Sequence, residues 1–184
     1  DALKTFALPK AYVISGTSYE ELAVKEATAG TMVRIAGLSS RDLINALAGD
    51  VCSVPMALID AIPSHFADDV AVLVAPAMEA FTAAAVGKLE SNDLPAPELT
   101  IQCGGTICLG GTSWVDHIDL HEPTGKELAT SERETDVAKL YVLLASFCSG
   151  LPRGAVEKIP LSIFTRMVAY LRGFTTAARQ GGGN

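Results

Sequence analysis

The sequence is short of positive charge, of aromatic rings and of cysteine, and each shortage removes a class of function. Lys and Arg number 14 against 21 Asp and Glu, for a net charge of −7. A nucleic-acid binder needs a basic stripe to replace phosphate counterions, and an anionic membrane surface attracts polybasic segments, so neither partner is expected. Aromatic residues make up 6% of the chain and do not interleave with basic ones, which disfavours stacking on bases. No uninterrupted apolar run reaches the roughly 18 to 20 residues of a membrane span. The longest greasy stretch, VAVLVAPAMEAFTAAAVGKL, is interrupted by Pro76 and Glu79. The four cysteines (Cys52, Cys103, Cys108 and Cys148) are scattered, and no secretory signal is visible. Reduced thiols in a cytoplasm are therefore expected.

Catalytic motifs are also missing. There is no serine elbow, HExxH or kinase-like signature. The pairs Asp68-Asp69 and Glu20-Glu21 have no apolar pocket to raise a pKa and read as surface acids. Cys52 and Cys148 fall on or near apolar helical faces, as buried structural residues do. No cofactor is expected.

What the chain has is apolar material, at 49% of 184 residues. A domain of this size buries about 70% of the surface that its unfolded chain exposes. It also has two stretches that resemble ligand sites. Thr124-Gly125-Lys126 looks like the end of a phosphate loop, but Leu120 stands where that loop needs glycine and Glu127 where it needs Ser or Thr. Thr124-x-x-Glu127 reads instead as a helix capping box, and Ser131-x-x-Glu134 repeats the signal. Cys103-x4-Cys108 followed by His117-x3-His121 has zinc-type ligands in a finger-like order. The gap between the pairs is short for a finger and no helix carries the histidines. On a strand, His117, Asp119 and His121 would share a solvated face opposite Ile118 and Leu120. A metal-binding protein or enzyme using Cys103, Cys108, His117 and His121 stays as an alternative; the leading expectation is no metal.

The middle of the chain suggests an internal repeat. Laying Glu21–Gly37 over His117–Arg133 puts Val24 on Leu120, Glu26 on Glu122 and Thr28 on Thr124, a shift of 96. Further on, Pro55 falls on Pro152 and Ile62-Pro63 on Ile159-Pro160, a shift of 97. In both units, alternating strands around glycine turns predict a hairpin. Helical patterns follow, as at Val137, Leu140, Tyr141, Leu144 and Cys148, with Gly150 as the stop. The predicted class is α+β and mostly helical: two repeats, each a β-hairpin followed by three or four short amphipathic helices. The first unit spans 11–90, a linker 91–98, the second unit 99–176, and 177–184 form a disordered tail. Pro76 is expected to kink the last helix of the first unit.

At the strand-to-helix junction the unit resembles the tail assembly chaperones of contractile-tailed bacteriophages, in which a strand reading roughly xLxxPTAGxL enters the first helix. The matching residues are Val24, Lys25, Glu26, Thr28, Ala29 and Gly30 in the first unit. In the second they are Leu120, Glu122, Pro123, Thr124 and Leu128, with the capping Glu127 beside them. The chain departs from the family by carrying two units, and by having Ala27 where the pattern favours proline. The resemblance implies a non-enzymatic protein of the infected bacterial cytoplasm that binds the tape-measure protein, keeps it soluble and helps recruit tail tube subunits. A structural part of the tail or baseplate is the alternative. The resemblance is compatible with a homo-oligomer and points to no particular partner-binding face.

Overall fold

The computed structural model describes residues 2–88 and 94–175. The first three residues of the expected linker (91–93) and the expected tail lie outside them. Among the described residues the chain is α+β, with two antiparallel hairpins each followed by four helices. The first half runs β1 (Lys4–Ile14), β2 (Thr17–Val24), α1 (Ala29–Ile35), α2 (Ser40–Cys52), α3 (Met56–Ala61) and α4 (His65–Val86). The second runs β3 (Glu98–Gly110), β4 (Ser113–His121), α5 (Gly125–Ser131), α6 (Val137–Ser149), α7 (Arg153–Val156) and α8 (Leu161–Arg172). Helix starts are offset by 96 (29 to 125), 97 (40 to 137), 97 (56 to 153) and 96 (65 to 161).

Local sequence explains most of these boundaries. Ile14 pairs with Thr17 across a two-residue turn, where Ser15 and Gly16 both have positive φ (50° and 84°). This is the backbone that a right-twisted hairpin prefers. The β1 ladder slips between Ala7 and Tyr12, around Pro9, which has no N–H to donate. In the second hairpin the slip falls between Gln102 and Ile107, around Gly104 and Gly105. Helices α2 and α6 both end on a left-handed residue, Ser53 and Gly150. Gly150 is the predicted stop.

Two helical expectations needed revision. Ser131 does not cap α6. It is the last residue of α5, fully buried, and α6 is capped by Asp136, whose side chain accepts from the Lys139 N–H at 2.9 Å. Helix α4 continues past Pro76 to 22 residues, longer than the short helices expected. It alone among the described helices is long and apolar enough to cross a membrane by length and composition. Here it lies along α8 and α2, burying Ala67, Val70, Val74, Phe81 and Ala85.

The buried residues of both halves form one cluster. At its centre the Phe81 ring of α4 stacks on Phe164 of α8, with centroids 5.9 Å apart. The C-terminal carbonyls of α4, orphaned as at any helix end, are met from the second half. Arg172 donates to Ala83, Ala84 and Gly87, and the Tyr141 hydroxyl donates to Ala85 at 3.4 Å. Phe164→Ala should therefore cost about 3–5 kcal/mol, and because the ring serves both halves, chemical denaturation should stay a single transition at a lower midpoint.

Candidate functional site

The stretches singled out in sequence form two strand-to-helix junctions, one in each half. In the first, Val24 ends β2 with its side chain fully buried, and the Lys25 N–H donates to Val51 at 2.9 Å. Thr28 is the N-cap of α1 in a reciprocal capping box with Thr31, which stands where Glu or Gln is usual. The Thr31 hydroxyl donates to Asp50 at 2.6 Å, and Arg34 grips the same carboxylate through Nε at 2.5 Å and Nη2 at 2.9 Å. The junction's sequence signal lacked this network because its N3 residue is threonine and Asp50 lies in another helix.

The first junction is closed by the second half. The Ala29 N–H donates to Ile159 at 3.0 Å, the Gly30 N–H to Glu157 at 2.8 Å, and the Leu161 N–H to Ala27 at 2.8 Å. Thr28 and Pro160 form an antiparallel bridge. The Glu26 carboxylate accepts from the Ser162 N–H at 3.1 Å, at the start of α8, where a negative charge is favoured.

The second junction has the same local plan without that cover. Leu120 and Pro123 are buried, while Glu122, Thr124, Gly125 and Lys126 are exposed. Thr124 caps α5: its hydroxyl accepts from the Glu127 N–H at 3.3 Å, and Glu127 Oε2 accepts from the Thr124 N–H at 2.7 Å. The Glu122 N–H donates to Pro97 at 2.7 Å.

Two clefts adjoin these junctions. One, of about 460 Å³, lies between Lys25, Arg34 and Asp50 on one side and Glu157 and Lys158 on the other. The second, of about 450 Å³, lies beside the end of β4 and the C-terminus of α6 and is lined by Glu98, Asp119, His121 and Cys148. The finger-like set does not assemble. Among the described residues, no three of Cys103, Cys108, His117 and His121 bring ligand atoms within 4.8 Å of one another; the group that does is His121, Glu127 and Cys148. His117 and His121 do share an exposed face of β4, with Ile118 and Leu120 buried opposite, as expected. Sequence spacing held no signal for the new group, because its members come from a strand end, a helix start and a helix end.

The buried thiols are poor nucleophiles. Burial pushes Cys52 up to about 11 and Cys148 up to about 12, the latter helped by the charge of Glu127, and the thiol form is inert. Burial, with Asp116 nearby, also raises Cys103. The exposed His117 is raised by its hydrogen bond to Asp116 (Nδ1 to Oδ1, 2.5 Å) and by the charges of Asp116 and Asp119.

Against this geometry, residues 99–176 match the family described as phage tail assembly chaperone proteins, E, or 41 or 14. The match spans β3 through α8, less than half of the chain, and that part is similar to the phage tail assembly chaperone family. No curated protein matches the chain, and no solved structure does.

Two predictions follow from the contrast between junctions and from the His117 pair. A Cβ on Gly30 would meet the Glu157 carbonyl oxygen at 2.8 Å, whereas one on Gly125 would meet nothing within 4 Å. Gly30→Ala should destabilise by about 1–3 kcal/mol through overpacking, while Gly125→Ala should be neutral or stabilise by up to about 1 kcal/mol; urea denaturation of both separates them. His117 should titrate above the ordinary histidine value in a proton NMR titration, and Asp116→Asn should bring it back down. The pair's contribution is full below the unfolded histidine value and fades as pH rises through the raised folded one.

Proposed function

We propose that the whole chain is a non-enzymatic tail assembly chaperone, built from two diverged copies of one unit. It binds the tape-measure protein in the cytoplasm of the infected bacterium, keeps it soluble and helps recruit tail tube subunits around it. The family match supports the chaperone part of this reading, and the matching helix offsets support the duplication.

The observation that carries the partner class is the outer flank of α4. Val72, Pro76, Ala80, Ala83 and Val86 recur at helical spacing and are all exposed, Val72 at 74% and Val86 at 59%. Such a stripe suits a long amphipathic helix laid alongside it, which is the character a tape measure implies. Two linked units would raise the effective concentration of each second contact. The motif residues Val24, Glu26, Thr28, Gly30, Leu120, Glu122, Pro123, Thr124 and Glu127 then serve the architecture of the junctions, leaving partner contact to the helix flank.

Co-expression with a tape-measure protein tests this. The wild-type chain should raise the soluble fraction of the tape measure several-fold and be absent from finished particles. The double variant Val72→Asp, Val86→Asp alters only exposed positions, so it should fold with little change in stability and lose the effect. Unchanged tape-measure solubility with the wild-type chain, or its presence in purified virions at stoichiometric amounts, overturns the proposal.

A further inference from the structure

We propose that His121, Glu127 and Cys148 form a binding site for a zinc-type divalent cation, a property separate from the chaperone reading. His121 is the last residue of β4, Glu127 stands in the first turn of α5 and Cys148 lies one residue from the end of α6. One ligand atom from each lies within 4.8 Å of the other two. Around a tetrahedral zinc, with bonds of about 2.0–2.3 Å, ligand atoms stand about 3.3–3.7 Å apart. Torsions about the His121 and Glu127 side-chain bonds can close the remaining gap.

Each residue has its donor free and oriented by a neighbour. The Nδ1 of His121 lies 2.8 Å from the Glu122 carbonyl oxygen. A carbonyl only accepts, so Nδ1 carries the proton and the lone pair sits on Nε2, the arrangement by which a backbone carbonyl usually orients a metal-ligating histidine. Glu127 uses Oε2 for the Thr124 N–H, which leaves Oε1 for an ion while the cap stays in place. Cys148 is held by α6 with its side chain buried, at 1% exposure, so its sulfur is fixed beneath two ligands that can move.

Ligand chemistry selects the ion. One sulfur, one imidazole nitrogen and one carboxylate oxygen suit zinc and its cobalt surrogate, whereas magnesium and calcium require oxygen ligands. On binding, the Cys148 S–H proton leaves to solvent and the sulfur lone pair bonds the metal, with no change in oxidation state. His121 and Cys148 also line the cleft of about 450 Å³, which leaves room for a fourth ligand. Glu98, paired with His121 across the β3–β4 ladder, lies on the same sheet face and can hold a water there. Bound metal would tie the strand end, the capped start of α5 and the end of α6 together at the uncovered junction.

The test uses the full chain without a histidine tag, stripped with chelator, kept reduced with a phosphine and titrated with Co²⁺. The expected result is a thiolate-to-cobalt charge-transfer band with visible bands of tetrahedral intensity, saturating at one equivalent and displaced by Zn²⁺. Cys148→Ser should abolish the charge-transfer band. His121→Ala, at an exposed position, should weaken binding by on the order of 100-fold while circular dichroism shows an unchanged fold. The double variant Cys103→Ser, Cys108→Ser should keep the full signal. Absence of the band in the wild type, its survival in Cys148→Ser, unchanged binding in His121→Ala, or its loss in the Cys103/Cys108 variant overturns the assignment. If Cys148→Ser fails to fold, His121→Ala and the Cys103/Cys108 variant decide.

Discussion

Three backbone hydrogen bonds, from Ala29 to Ile159, from Gly30 to Glu157 and from Leu161 to Ala27, hold the two halves in register. The first N–H groups of any helix have no partner inside it, and α1 meets that need with carbonyls of a loop more than a hundred residues away. The loop in turn starts α8, so the placement of α1 sets the placement of α8 against α4. The Phe81–Phe164 stack and the Arg172 contacts at the end of α4 depend on that alignment. Gly30 belongs to the same constraint: the carbonyl of Glu157 occupies the space that a side chain would need.

The two junctions share a local design and differ in surroundings. Both begin with a capping threonine, both have a buried residue just before it (Ala27 or Pro123), and both follow a strand with its last apolar side chain in the core. The first is bridged by backbone hydrogen bonds from the second half. The second ends against solvent and an open cleft, and there a buried thiol, an imidazole and a carboxylate converge. Helices α4 and α8 differ in the same sense. The second is wrapped by the core along most of its length, while the first keeps one flank bare.

Sequence made the hairpins and helices of both halves legible, because strand alternation, glycine turns and the spacing of Val137, Leu140, Tyr141, Leu144 and Cys148 are local signals. Capping was legible where the usual residues stood, as at Thr124 and Glu127. It was hidden at Thr28, where Thr31 replaces the usual acid, and misleading at Ser131, whose hydroxyl is buried at a helix end. Pro76 suggested a kink because proline removes one helical bond; α4 runs through it as one helix packed on α8. The His121, Glu127 and Cys148 group had no sequence signature. Its members meet only because β4, α5 and α6 fold back on one another, and a pattern of spacing along the chain carries no record of that.

The bond from Leu161 to Ala27 has a consequence for synthesis. It joins residues 134 positions apart (161 minus 27). Translation at about 5–20 residues per second places roughly 7 to 27 seconds between the two ends of that contact. Through that interval the emerging first half holds a hairpin and a capped helix start whose covering loop does not yet exist, and α4 has no α8 to lie against. The amino-terminal half is thus made first and completed last, with the α8-facing side of its most apolar helix open while the ribosome finishes the chain.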